Sequence, residues 1–188
     1  MKKASLLLLL FACFNSYAQK YVEVSDIQVP TSIVMDNNTL VLNGAEVREK
    51  YWIDLYVGSL FLTNKTQHAQ EIINSKEPMN IRMQMVSSLI DSEAMIDAIN
   101  EGFERSTKGN PKSIEKEIQQ LIDIFSEPIK DGDVYDLFYS PAVGVKVYKN
   151  GKHYGNIPGY DFKTALFGIW LGPNPASSDL KEGMLGLK

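Results

Sequence analysis

From Leu42 to Leu62 the chain reads LNGAEVREKYWIDLYVGSLFL, and no other stretch limits its fold so tightly. β-branched and aromatic residues dominate from Tyr51 onward, over more than the length of an ordinary strand, so a long central strand is expected there. Asn43-Gly44 is a turn dipeptide and is expected to lead the chain into it. Alternation then divides the side chains between two faces. Tyr51, Ile53, Leu55, Val57, Ser59 and Phe61 form one that is almost wholly apolar and suits a core. Trp52, Asp54, Tyr56, Gly58, Leu60 and Leu62 form the other, with Arg48 and Lys50 leading into it in the same phase. Cations, a phenol and an indole on one face suit a cleft that holds an anion beside an apolar body. The plainer alternative is a pair of solvated charges at a strand entrance.

The N-terminus carries an address. Lys2 and Lys3, an apolar run from Ala4 to Cys13, and Ser16-Tyr17-Ala18 follow the order of a secretory signal peptide cleaved after Ala18. This divides the chain into a leader, residues 1–18, and one domain, residues 19–188. The apolar run is too short to span a bilayer as a mature anchor. Leu10-Phe11-Ala12-Cys13 loosely resembles a lipobox, so lipidation at Cys13 stands as the lesser alternative: Phe11 fits that motif poorly and the site at Ala18 is cleaner. The expected location is periplasmic or secreted. Cys13 is the one cysteine of the sequence, so an exported domain has no disulfide and no thiol nucleophile, and its core must hold it together unaided. A formal net charge of −4, with no basic run, argues against nucleic acid as a partner.

Along the rest of the chain, short strands are expected up to Pro30 and at Ile33–Met35, then a turn at Asp36-Asn37-Asn38. A short helix ending near Ser75 and a strand from Met79 to Val86 follow, the strand alternating Met79, Ile81, Met83 and Met85 with Asn80, Arg82 and Gln84. Asp91 or Ser92 caps a helix reaching about Arg105, and Gly109-Asn110-Pro111 separates it from another on which Ile114, Ile118, Leu121, Ile122 and Phe125 recur at helical spacing. Val134–Tyr139 reads as a strand. Asn150-Gly151 marks the clearest hairpin. Tyr160–Leu171 is a strongly apolar helix stopped by Gly172-Pro173, and a short helix closes the chain. The whole is an α+β domain of roughly seven strands and four or five helices.

Its catalytic repertoire is narrow. His68 and His153 are the only histidines and have no metal-ligand spacing, so neither a metal nor another cofactor is expected. No G-x-S-x-G elbow occurs, and the glycine-rich pieces sit in hairpin turns instead of a strand-to-helix phosphate loop. Asp131, Asp133 and Asp136 read as a solvated acidic turn ahead of a carboxylate pair. What remains is Arg48 with Tyr56. A guanidinium grips a carboxylate by two parallel hydrogen bonds, and a phenol donates a third. Trp52, Met83, Met85 and residues of the 92–105 helix are candidate walls for the attached apolar body. The methionines also suit plain core packing.

Several segments, in order, resemble the chalcone isomerase-like family, especially its exported bacterial branch. These are V-x-V-x-x-I-x-V-P at Val22–Pro30, L-N-G-A-E-V-R at Leu42–Arg48, Y-V-G-S-L-F-L at Tyr56–Leu62, the Asn150-Gly151 hairpin, and I-P-G-Y-D-F-K-T-A-L-F-G-I-W-L-G at Ile157–Gly172. The resemblance implies an open-faced β-sandwich, a large antiparallel sheet covered by a helical layer with the ligand between them. It implies that Arg48 matches the arginine with which the plant enzymes neutralise a phenolate during chalcone cyclisation. It also aligns Ala94 with their tyrosine, Val86 with a lysine, Glu101 or Asn100 with an asparagine, and Ile169 with a threonine. Relatives of the same fold bind fatty acids through the arginine and a tyrosine, to which Tyr56 corresponds. The expectation is therefore a non-catalytic or weakly catalytic binder of a small amphiphilic carboxylate or phenolate, with Arg48, Tyr56, Trp52, Met83, Met85 and Glu101 at its site and Arg48 the catalytic residue if any isomerase activity exists. An isomerase, or an envelope interaction protein whose cleft is filled by its own side chains, are the alternatives.

Overall fold

The structure is a computed structural model that describes residues 20–89 and 91–188. The expected signal peptide, its cleavage site and Cys13 lie outside the described residues. The elements are β1 (Tyr21–Val24), β2 (Ile27–Pro30), β3 (Ser32–Met35), β4 (Asn38–Lys50), β5 (Ile53–Leu62), α1 (Ala69–Asn74), β6 (Met79–Met85), α2 (Ser92–Ser106), a 3-10 turn (Pro111–Ile114) running into α3 (Glu115–Phe125), β7 (Val134–Ser140), β8 (Gly144–Lys149), β9 (Lys152–Ile157), α4 (Tyr160–Leu171) and α5 (Ser178–Met184).

Strands β3 to β9 form one seven-stranded antiparallel sheet in chain order, and β1 and β2 form a separate hairpin. Neighbours in sequence are thus neighbours in space; short turns join most of the strands, while α1 intervenes between β5 and β6, and α2 and α3 between β6 and β7. Helices cover one face of the sheet, so the expected α+β architecture, a large antiparallel sheet under a helical layer, is what the chain adopts. The β1–β2 hairpin contributes to a smaller core on the opposite face. There Val29 meets Ile33, Leu40, Leu42, Val57, Phe61 and Phe138. The main core lies between sheet and helices and includes Tyr56, Leu60, Leu62, Met83, Met85, Phe103, Phe125, Leu166 and Trp170. Strand β5 is therefore covered on both sides, and its alternation sorts Val57 and Phe61 into one core and Tyr56, Leu60 and Leu62 into the other.

Two expectations about this region are corrected. Asn43-Gly44 is not a turn but lies inside β4, at a register shift between Leu42 and Gly44. Buried Asn43 donates to the Met184 carbonyl at 2.9 Å and accepts from the Thr66 amide at 2.9 Å, so its side chain ties down two neighbouring segments instead of reversing the chain. A Cβ on Gly44 would stand 2.1 Å from the Gly183 carbonyl oxygen, which leaves glycine as the residue that lets the C-terminal segment lie on the strand. The reversal occurs instead at Tyr51-Trp52, between Lys50 and Ile53, which face each other across the ladder. The strand expected from Tyr51 is β5, which begins at Ile53, and the residues expected to lead into it, up to Lys50, belong to a separate strand, β4.

The helical layer is anchored by an unusual residue in the apolar α4. Lys163 is fully buried, and its ammonium donates to the carbonyls of Ile72, Ile73 and Ser75 at 3.1, 2.7 and 2.7 Å. It thereby adds a donor at carbonyls that close α1, of which that of Ile72 also accepts from the Ser75 amide at 3.2 Å. The rings of Tyr139, Phe167 and Tyr160 surround it at 5.0, 5.3 and 5.8 Å. Burial pulls its pKa down to about 8. A cation that fills three acceptors at an element junction is structural. The acidic residues near Asp131 are likewise spent on structure: Asp136 binds Arg82 at 2.8 Å and Asn80 at 2.7 Å, and Asp133 pairs with Lys149 at 3.2 Å.

Candidate functional site

The β4–β5 ladder brings Arg48 and Tyr56 together. They are direct cross-strand partners, so their side chains emerge on the same face of the sheet. A second register shift follows between Arg48 and Glu49, and Leu55 is the extra residue on the opposing strand. Such a bulge turns the strand ends and re-aims their side chains. Here it lies at the rim of a cavity of about 450 Å³ between the sheet and helices α2, α3 and α4. That volume is in the range of small-molecule sites.

Each wall follows from local sequence. Strand β6 contributes Met83. Helix α2, capped by the Asp91 carboxylate accepting from the Ala94 amide at 2.8 Å, sets Met95 and Ile99 inward one turn apart and places Ala94 and Ala98 along the opening. Gly102 lets it approach α4 closely, since a Cβ there would come within 2.9 Å of Ile169. Helix α3 adds Leu121 and Phe125, and α4 adds Leu166, Ile169 and Trp170. The interior is apolar; charge is confined to the rim, where Arg48, Lys50, Arg105 and Glu101 stand.

Tyr56 is the polar group that reaches the apolar interior. Its hydroxyl accepts a 3.0 Å hydrogen bond from the Trp170 indole, and among the described residues nothing accepts its own proton. Burial raises its pKa above the ordinary phenol value, opposed by the Trp170 hydrogen bond and the nearby Arg48 charge. At neutral pH it is thus an uncharged donor, held in orientation by the indole. Arg48 donates to the carbonyl of Glu49, and among the described residues it has no carboxylate partner. The other two arginines near the sheet and helices differ: Arg82 is paired with Asp136, and Arg105 with Glu101 at 3.5 Å. A free guanidinium beside a neutral phenol donor, at the end of an apolar chamber, is matched to one oxyanion attached to an apolar body.

Arg48, Tyr56, Met83 and Glu101 all line this cavity. Met85 does not: fully buried, it faces Tyr56 across the β5–β6 ladder as part of the core. Trp52 is corrected as well. It sits at the tip of the β4–β5 turn, 92% exposed, because the chain reverses there and carries its indole past the cavity. Of the positions aligned by resemblance, Ala94, Glu101 and Ile169 line the cavity, while Val86 packs against the opposite core. Trp170 belongs to the site without having been singled out for it. Trp170 lies far from Tyr56 in sequence, and no local spacing announces such a contact.

Among the described residues no cluster of His, Cys, Asp and Glu is arranged to hold a metal, and no helix is long and apolar enough to cross a membrane. The fold matches the crystal structure of a fatty-acid binding protein of Arabidopsis thaliana, with a TM-score of 0.63 over 82% of this chain and 95% of that one, at 16% identity. At that identity the likeness is one of fold. No curated protein matches the chain at the sequence level. The family model described as chalcone isomerase-like matches residues 21–186, a span that takes in every element from β1 to α5, and the chain belongs to that family.

Proposed function

We propose that this protein is an exported carrier of a fatty acid or a similar small amphiphilic carboxylate. The observation that carries the reading is the pairing of Arg48 and Tyr56 at the polar end of an otherwise apolar cavity, both with hydrogen-bonding capacity to spare. The carboxylate takes the Arg48 guanidinium and the Tyr56 hydroxyl, and the acyl chain runs between Met83, Ile99, Phe125 and Ile169. The fatty-acid binding of the Arabidopsis thaliana neighbour of this fold supports the ligand class. Export rests on the signal-peptide pattern read in residues 1–18 and on the absence of cysteine from residues 19–188.

A chalcone-type isomerase is the second reading, favoured by the same unpaired Arg48 beside a shaped cleft. Against it, Ala94 and Ile169 occupy the positions that resemblance aligns with a tyrosine and a threonine, so the cleft lacks those hydroxyls for handling a ketone. An open chamber beside Arg48 weighs against a ligand-free interaction protein. The test is a calorimetric titration with palmitate. The wild-type protein is expected to take up one equivalent, and Arg48→Ala to bind at least about tenfold more weakly, since a hydrogen bond to a charged group is worth roughly 1.5–3 kcal/mol. Equal affinity of the two proteins would remove the head-group site. Saturable cyclisation of a hydroxychalcone, lost in Arg48→Ala, would move the reading to the isomerase.

A further inference from the structure

Among the described residues, four hairpins turn in two residues, and in each both turn residues have positive φ. Three of them use Ser25-Asp26 (48°, 62°), Asp36-Asn37 (46°, 64°) and Asn150-Gly151 (51°, 76°). Small and polar residues of this kind tolerate the left-handed backbone and favour such turns. The fourth places Tyr51 and Trp52 there, at 53° and 67°. A bulky aromatic residue in that region is strained, and neither ring recovers the strain by burial, for Tyr51 is 82% and Trp52 92% exposed. The chain forms the same turn elsewhere from residues that suit it. Two aromatic residues at this one position point to a role outside folding.

The tip stands at the mouth of the cavity. Lys50, Tyr51 and Ile53 line that mouth from one side, and Leu89, 68% exposed, from another. The rim carries the cations Arg48, Lys50 and Arg105 against a single lining carboxylate, Glu101, which Arg105 already pairs. Glu49 and Asp54 face each other across the hairpin and do not line the cavity. The cavity lining thus holds more cations than carboxylates, while Glu49 and Asp54 balance Arg48 and Lys50 along the hairpin itself.

We propose that the Tyr51-Trp52 tip is a membrane-docking device that sets the cavity mouth against an anionic phospholipid surface. Indole and phenol rings favour the headgroup level of a bilayer, where an apolar body and a polar edge are both accommodated. Lys50 complements anionic headgroups from the same rim, and Leu89 and Ile53 extend the apolar contact. A water-shy amphiphile then passes between bilayer and chamber without crossing open solvent. The purpose of docking rests on the carrier reading; its detection does not.

The test is co-flotation of the purified protein with vesicles of mixed phosphatidylcholine and phosphatidylglycerol, alongside palmitate titration of the same samples. The wild type is expected to float with the mixed vesicles and less with phosphatidylcholine alone. Trp52→Gly is expected to float roughly tenfold more weakly, as the loss of one buried aromatic side chain implies. It should keep its palmitate affinity, because Trp52 does not line the cavity, and melt at a higher temperature, because glycine relieves the turn. A wild type that does not float, as expected if the tip meets a protein instead, or a Trp52→Gly variant that floats equally well, would overturn the proposal. Flotation without palmitate uptake would remove the carrier reading and leave docking standing.

Discussion

The Tyr56 hydroxyl has two partners to serve, and only one is in the protein. Tyr56→Phe removes the acceptor of the Trp170 indole and the donor offered to the ligand, so two effects are expected from one oxygen. Palmitate affinity should fall about tenfold or more, in keeping with a hydrogen bond to a charged acceptor, and stability should fall by about 1–3 kcal/mol because a buried indole N–H is left unpaired. Urea denaturation and palmitate titration of the same variant measure both; an unchanged affinity would show that the phenol only braces Trp170. Lys163 makes the contrasting case of a buried polar group without a ligand. Its pKa is drawn down to about 8 from an ordinary 10.5, so between those values the unfolded chain holds a proton that the folded chain has released. Its contribution to stability therefore rises with pH through that window and is flat below it. Above about 10 the buried phenols of Tyr56, Tyr135 and Tyr139, raised by burial, act in the opposite sense. Subtracting the unfolding profile of Lys163→Met isolates the lysine term. That variant should also be less stable throughout, since the carbonyls of Ile73 and Ser75 lose the ammonium donor and that of Ile72 keeps only the Ser75 amide.

Elements are held by close approaches that leave little room for change. Gly44 lies against the backbone of Gly183 and Gly186, and Gly44→Ala is expected to destabilise the protein by about 2–3 kcal/mol, the scale of an overpacked contact that cannot relax. Gly155, whose Cβ would meet only the end of Ile124 at 3.7 Å, serves as control, and Gly155→Ala should change stability little. Equal denaturation midpoints for the two variants would contradict the contact. The same strand shows what sequence does and does not reveal. Helices α2 and α4, strands β6 and β7 and the β8–β9 hairpin were legible because periodicity, caps and the Asn150-Gly151 turn all agree there. The β4–β5 hairpin was not, because Asn43-Gly44 carries turn chemistry inside a bulge while Tyr51-Trp52 carries strand chemistry at a turn. Local propensity lost both times, first to the packing of the C-terminal segment and then to the turn at the cavity mouth. Arg48 and Tyr56 were still paired correctly on one face, since the ladder register restores the alternation that the misplaced turn would have broken. Trp52 lies off the cavity because the turn falls at it, and Met85 because alternation gives a face but not the depth along it.

At the scale of the whole molecule, a sheet whose strand β5 is covered on both faces and a helical layer pinned by Lys163 enclose a chamber that the core does not fill. Filling it should be tolerated by the fold and fatal to the ligand. Ile99→Trp places a large ring in the chamber, and is expected to abolish palmitate uptake while changing the melting temperature little; a variant that still binds would show that the acyl chain lies elsewhere. The rim confines charge to one end, so the ligand has a single orientation with its carboxylate at Arg48. The most direct measurement is native mass spectrometry of the wild type and Arg48→Ala, each mixed with one equivalent of palmitate in the absence of detergent. A one-to-one complex in the wild type that is lost in Arg48→Ala is the expected result. A complex of equal abundance in both proteins, or none in the wild type, would contradict the assignment of this cavity to an amphiphilic carboxylate held by Arg48.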